Sequence, residues 1–240
     1  MKTLARVALL AATALALPAA AAQAQAAKPA AAHHDHNAML LDQAIAGAHR
    51  SEANRARDVY RHPKETLTFF GVKPNMTVVE ISPGGGWYTE ILAPYLANGG
   101  TYYAAAANPA ASERAAKSVA DFKAKLAATP ATAKAQVTSF GKDHYDSLAP
   151  AGSADVVLTF RNVHNWYSAD FAPQAFQSFF TALKPGGTLG VVEHRLPEDR
   201  DDAQMKTSGY MKRSAVVKMA EAAGFKLAGE SEINANPKDT

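Results

Sequence analysis

The sequence contains no cysteine among its 240 residues. This excludes a disulfide framework, and a chain of this size can bury an adequate core without one, even if exported. Nor is there an apolar run of membrane-spanning length at the N-terminus. The stretch Val7 to Leu17 covers about eleven residues, where a spanning helix needs about 20, so no permanent anchor is expected there. Charge of one sign is also scarce: the formal net charge is +3 and falls to +1 without Lys2 and Arg6. No basic stripe interleaved with aromatics occurs, so nucleic acid is not an expected partner.

The N-terminal residues carry Lys2 and Arg6, the short apolar run, Pro18, and small residues to Ala26. This is the layout of a secretory signal peptide over residues 1–26, with small-x-small cleavage options at Ala22-Gln23-Ala24 or Ala24-Gln25-Ala26. The expected location is the cell envelope, most simply a bacterial periplasm. No membrane contact beyond export is expected, and the oligomeric state is not legible. Residues 27–38 read as an Ala/His-rich tether. Its His33, His34 and His36 are of a type that binds zinc, nickel or copper. Neighbours in a flexible tether are not held in one coordination geometry, however, so a solvated linker and no metal site is the expectation. The remainder, about 215 residues with the tether, suits one α/β domain.

The chain is organised around Thr77 to Leu92. A β-branched run (Val78, Val79, Ile81) reads as a buried parallel strand and stops at Pro83-Gly84-Gly85-Gly86, where an amphipathic helix pattern begins. Glycines allow tight turning and close approach of a ligand, and the helix start offers unpaired N–H groups. Neither the dinucleotide G-x-G-x-x-G nor the phosphate-binding G-x-x-x-x-G-K-[ST] can be written over these residues. A purely structural glycine turn remains open on the residues alone.

Ahead of this stretch, residues 39–76 read as a helical cap. Leu40, Leu41, Ile45 and Ala48 recur at helical spacing, and Ser51, Glu52 and Asn54 mark a fresh helix start. Arg50, Arg55, Arg57, Asp58 and Arg61 form either an exposed salt-bridged face or a segment that folds over a crevice and presents Asp58 or Arg61 to a charged ligand end. Downstream, strands are expected at Thr101–Ala105, Ala135–Phe140, Ala154–Phe160, Thr188–Glu193 and Phe225–Ile233. Helices are expected at Trp87–Leu96, Ala111–Ala128, Phe171–Leu183 and Tyr210–Ala223, with a tail over residues 234–240. This alternation argues for a doubly wound, mostly parallel sheet with its ligand crevice outside the strand carboxyl ends.

Four segments carry a resemblance to a known family. Glu80-x-Ser82-x-Gly84-x-Gly86 resembles the first motif of the class I S-adenosylmethionine-dependent methyltransferases, with Ser82 where a glycine usually stands. Ser153 to Leu158 resembles that family's fourth strand, Leu183-Lys184-Pro185-Gly186-Gly187-Thr188-Leu189 its turn before the fifth, and Ala223-Gly224-Phe225 its entry to the sixth. Tyr60 to Tyr88 with Phe160 to Trp166 is similar to a group of exported methyltransferases of unassigned substrate. The resemblance implies a Rossmann-like domain over residues 77–233 with S-adenosylmethionine as cofactor. It places Glu80, Ser82, Gly84, Gly85 and Gly86 around the methionine part, and Phe160 and Arg161 near the sulfonium. Asn108 stands where the family has a ribose-binding carboxylate, and Asp143, or His144 beside it, near the adenine. The family's seventh strand has no counterpart in the few residues after Ile233, so an open edge on the fifth strand is expected.

The same resemblance implies methyl transfer to a small molecule, with His164 as catalytic base and Tyr88, Asn162, Asn165 and Trp166 as substrate contacts. Trp87, Tyr167 and His194 are further candidates. Each aromatic has ordinary packing as its alternative, and His164 has loop shaping. Because S-adenosylmethionine is made and used in the cytoplasm, a second expectation stands beside the enzyme. It is an exported, non-catalytic binding protein that keeps the fold and takes a nucleoside-like or other small ligand.

Overall fold

A computed structural model of the chain describes residues 30–236, with side chains from His36 onward. The expected leader and the side chains of His33, His34 and Asp35 lie outside the described residues. Helices α1 (Ala30–Ile45), α2 (Glu52–Arg55), α3 (Asp58–Arg61) and α4 (Pro63–Phe69) precede the sheet. Then follow β1 (Thr77–Ile81), α5 (Thr89–Leu96), β2 (Thr101–Ala107), α6 (Glu113–Ala128), β3 (Gln136–Phe140), β4 (Ala154–Phe160) and α7 (Val163–Ser168). The remaining elements are α8 (Ala172–Ala182), β5 (Leu183–Val192), β6 (Arg195–Leu196), β7 (Met211–Lys212) and α9 (Arg213–Ala222).

The five main strands lie in the order β3-β2-β1-β4-β5, and every neighbouring pair is parallel. The chain therefore winds outward from β1 to β3 and crosses back to β4 on the other side of β1. That reversal opens a crevice at the carboxyl ends of β1 and β4. Strand side chains alternate between two helical layers. Val78, Tyr102, Ala104, Val156 and Leu158 pack with Leu41, Leu67, Ile91, Leu92 and Phe122. Val79, Ile81, Ala105 and Val157 pack with Val163, Trp166, Phe176 and Phe179. Burial on both faces explains why β1 and β4 read as unbroken apolar runs.

Glu80 interrupts the apolar run of β1. Its side chain is 3% exposed and accepts hydrogen bonds from the hydroxyls of Tyr102 on β2 and Thr89 at the start of α5. Burial pushes the carboxyl up to about 7, against the lowering effect of the two hydroxyl donors. The Tyr102 phenol is raised too, chiefly by its own burial and then by the adjacent carboxylate.

Two expectations need correction, and two elements were not foreseen. Residues 30–38 are the first turns of α1, not a tether, because the alanine-rich run continues the helix that Leu41 and Ala44 anchor to the core. The expected sixth strand, Phe225–Ile233, is irregular: Phe225 N–H closes α9 onto Ala220, and the alternating apolar face begun by Phe225 and Leu227 is broken at Gly229 and Ser231. Side chains hold it to the surface instead, with Glu230 paired to Arg213 and Glu232 to Arg195. The loop after β4 contains the short helix α7, which the sequence pattern did not mark. The pair β6 and β7, parallel and two residues each, was not expected either.

The raised Glu80 carboxyl couples stability to pH. Between its ordinary 4.5 and about 7, the unfolded chain has released this proton while the folded chain keeps it. The contribution is thus complete below pH 4.5 and is lost as pH rises through about 7, a change of about 3 kcal/mol. Glu80→Gln, which mimics the neutral carboxyl, should flatten this part of the denaturant-melt profile. A wild-type slope that persists in the variant would refute the assignment.

Candidate functional site

The turn after β1 is built from residues that tolerate a left-handed backbone. Ser82, Gly84 and Gly86 have φ of 53°, 57° and 82°, and Glu90 N–H then bonds to Gly86 carbonyl as α5 begins. The three glycines differ in what they serve. A Cβ on Gly86 would meet the Phe122 ring at 3.0 Å, so this glycine lets α6 pack closely. A Cβ on Gly84 or Gly85 would meet nothing within 4 Å. Their bare backbone faces open space.

That space is a cleft of about 560 Å³ at the switch point between β1 and β4. Glu80, Ser82, Pro83, Gly84 and Gly85 form one wall, and Phe160, Arg161, Asn162 and His164 at the end of β4 form another. Arg57 and Arg61 close it from the cap, and His194, Ser208, Gly209 and Tyr210 come from the segments around β6 and β7. Tyr88 stacks on Phe160 with ring centroids 3.6 Å apart and planes 13° from parallel. The Tyr88 phenol is pushed up mainly by burial.

The cap is locked to the turn. Ser51 caps α2 by accepting from Asn54 N–H, as its position in the sequence implies. Arg50, with its side chain 0% exposed, donates to both carboxylate oxygens of Asp58 at 2.7 Å and to Ile45 carbonyl. Arg50 and Arg61 both lie over the Trp87 ring, at 5.2 and 4.7 Å from its centroid. The Trp87 indole N–H donates to Asn54 carbonyl at 2.7 Å. Behind the turn, Glu90 takes Lys125 and the Asn54 amide as partners.

At the β4 end, His164 Nδ1 lies 3.0 Å from Glu193 Oε1. Glu193 also accepts the backbone N–H groups of His164 and His194. A carboxylate so held presents one acceptor to the imidazole. It fixes Nδ1 as the protonated nitrogen and leaves Nε2 as the basic one.

The structure brings Glu80, Ser82, Gly84, Gly85, Tyr88, Phe160, Arg161, Asn162 and His164 together in the cleft. Five expected site residues lie elsewhere. Gly86 packs on Phe122. Trp166 is 4% exposed in the core, edge-on to Phe140 and Phe179, because the α7 turn rotates it inward. Asn165 faces solvent on α7. Asn108 spends its side-chain oxygen on Ala110 N–H, capping a turn. Asp143, at φ 58°, is exposed in the tight turn that Gly141 and His144 close. Asn162 does line the cleft, but its amide nitrogen bridges to Ile81 carbonyl and so ties β4 to β1. Of the cap residues, Asp58 is committed to Arg50 and Arg61 reaches the cleft. Sequence reasoning missed Glu193 as the partner of His164. Its position directly after the fifth strand was the available signal.

The cradle fits the methionine end of S-adenosylmethionine. It has open backbone at Gly84 and Gly85, a carboxyl at Glu80 for an ammonium group, and the Tyr88–Phe160 stack as an apolar floor. The end of β2 offers no charged group for ribose hydroxyls, since Ala107 and Asn108 stand there. Among the described residues, no group of three or more His, Asp or Glu residues is arranged to hold a metal, and no helix is long and apolar enough to cross a membrane.

Comparison with known proteins agrees with this geometry. Residues 79–191 match the family model described as a methyltransferase domain. Among solved structures, the fold is similar to a SAM-dependent methyltransferase from Aquifex aeolicus, with 18% identity, a TM-score of 0.56, and coverage of 72% of this chain and 85% of that one. It is also similar to a protein of Bordetella parapertussis described as a possible exported protein, with 15% identity, a TM-score of 0.50, and coverage of 79% and 73%. A third is an arsenic(III) S-adenosylmethionine methyltransferase from Chlamydomonas reinhardtii, with 14% identity, a TM-score of 0.51, and coverage of 77% and 61%. At these identities the likeness is one of fold. A comparison with curated proteins finds no match. Residues 79–191, just under half of the chain, thus match a methyltransferase domain, and the glycine turn and strand order are those of a Rossmann-like methyltransferase fold.

Proposed function

We propose that the protein methylates a small-molecule acceptor in the cell envelope, with His164 as the base. One observation carries this reading: His164, held by Glu193 behind it, lines the same cleft as the open Gly84-Gly85 backbone. S-adenosylmethionine, when bound, supplies a methyl group on a sulfonium, which a nucleophile displaces in line. The chain supplies alignment and proton removal. Gly84 and Gly85 admit the cofactor to the backbone, Glu80 offers a carboxylate to its ammonium, and Tyr88 with Phe160 excludes water beneath it. His164 Nε2 takes the proton from an acceptor hydroxyl or amine, and Glu193 keeps the resulting imidazolium oriented through Nδ1–H. The envelope location rests on the leader-like layout of residues 1–26, and the likeness to the Bordetella protein accords with it.

A second reading has one specific observation in its favour. The carboxylate expected at the end of β2 is replaced by Asn108, whose side chain is engaged in its own turn. A non-catalytic protein that keeps the fold and binds a nucleoside-like ligand would show the same loss.

Calorimetric titration with S-adenosylmethionine separates the two. The enzyme should bind at about micromolar Kd, near −8 kcal/mol. Gly84→Asp, which inserts a negative side chain into the open cradle, should abolish the heat while leaving a cooperative melt. No heat from the folded wild type at several temperatures would sink the methyltransferase reading.

The catalytic assignment predicts that His164→Ala lowers the rate of transfer to an oxygen or nitrogen acceptor by about 10²–10⁴ without loss of cofactor binding. Glu193→Gln should lower kcat and change the pH profile, because it acts through the imidazole. Unchanged turnover in His164→Ala would remove it from the mechanism. For location, the mass of the protein recovered from producing cells should correspond to a start at Gln25 or Ala27. An intact Met1 would refute processing.

A further inference from the structure

The cap wall of the cleft carries positive charge that the fold itself does not use. Arg57 and Arg61 are four residues apart across the α3 turn, which brings their side chains to one face, and both line the cleft. The carboxylate on that turn, Asp58, points instead to Arg50, which takes both of its oxygens. Among the described residues, no carboxylate pairs with Arg57 or Arg61. Nor is Arg61 a loose surface chain. Its guanidinium rests on the Trp87 ring, and the Asn54 carbonyl holds that ring in place. An arginine that served only as a solvated surface charge would not need this half-buried seat on an aromatic ring. One that awaits an anion is preorganised by it.

Charge bookkeeping in the cleft excludes the cofactor as the sole user of this wall. Against Arg57 and Arg61, Glu80 is the one carboxyl among the described residues that line the cleft. The cofactor brings a sulfonium and an ammonium against one carboxylate, so it enters with net positive charge. Its ammonium draws on Glu80, and one carboxylate does not offset two guanidinium groups. With cofactor in place the cleft is therefore still cationic. A neutral or cationic acceptor would leave this charge uncompensated.

We infer that the methyl acceptor is an anion, bearing a carboxylate or phosphate that Arg57 and Arg61 bind at the cap edge of the cleft lined by His164. This rests on the methyltransferase reading and specifies its substrate class. The guanidinium forks suit either oxyanion. The other end of the acceptor carries the hydroxyl or amine that meets His164.

The test uses benzoate, phenyl phosphate and neutral benzamide as probes, titrated into protein saturated with S-adenosylhomocysteine. At least one anion should saturate below about 10 mM and bind about tenfold or more tighter than benzamide. The stronger of the two anions identifies the oxyanion. Arg57→Gln, at an exposed position, should weaken that anion about tenfold, and the double variant with Arg61→Gln should erase the preference. Both variants should keep the wild-type melt and their affinity for S-adenosylhomocysteine. Equal binding of benzamide, no saturation by either anion, or an anion preference that survives in the double variant would overturn the inference. So would a loss of S-adenosylhomocysteine affinity in the variants, which would assign the arginines to the cofactor. If wild-type protein fails to bind S-adenosylhomocysteine, the parent reading falls. The anion series on cofactor-free protein then still reports on the arginines.

Discussion

A buried carboxyl at the end of the first strand sets the geometry of everything around it. Glu80 is placed inside the helical layer by the alternation of β1, where an unpartnered carboxyl would be costly. Its donors come from two other elements: Tyr102, which follows from the β2 register, and Thr89, which starts α5. To bring Thr89 back over Glu80, the chain must reverse within the residues between Ile81 and Thr89. It does so through left-handed positions at Ser82, Gly84 and Gly86. The glycine turn and the carboxyl are thus two halves of one device. The turn returns the donor to the acid, and its outer surface becomes the cleft wall.

The cap depends on the same turn. Trp87, the residue after the last turn glycine, reaches up to Asn54 and lies under Arg50 and Arg61. Arg50 is buried, and its Nε has no partner, so its pair with Asp58 is not a clear source of stability. Ion pairs of this kind roughly break even against apolar packing. Its effect is geometric. By turning Asp58 toward the cap interior, it leaves the arginines of α3 facing the cleft without a carboxylate of their own.

Those arrangements were unequally legible in the sequence. Strand and helix order could be read because period-two and period-3.6 patterns are set by burial, and burial on both sheet faces left β1 and β4 with unmistakable runs. The glycine motif could be read because a left-handed turn restricts residue type. Phe225–Ile233 misled because an A-G-F helix ending suggests a following strand, whereas the segment has too little apolar surface to form one. Trp166 misled because a short helix rotates it, and its direction cannot be read from its place after a strand. Glu193 stood at a strand end, but nothing in the sequence paired it with His164. The two are 29 residues apart and meet only because β4 and β5 are neighbours in register.

The strained residues show where side chains are retained against backbone preference. Among the described residues, five other than glycine have positive φ, and two of them, Ser82 and Arg161, follow β1 and β4 directly. These strands are adjacent at the switch point, and both residues line the cleft. A left-handed conformation costs an ordinary residue about 1–2 kcal/mol, and glycine avoids it. Glycine at either place would satisfy the turn as well, and the chain uses glycine at Gly84 and Gly86 close by. Glycine is not used at either place, so a hydroxyl and a guanidinium are retained at the rim of the cleft at the expense of backbone strain. Together with Arg57 and Arg61, these side chains are the polar groups that the proposed anionic acceptor would meet in the cleft.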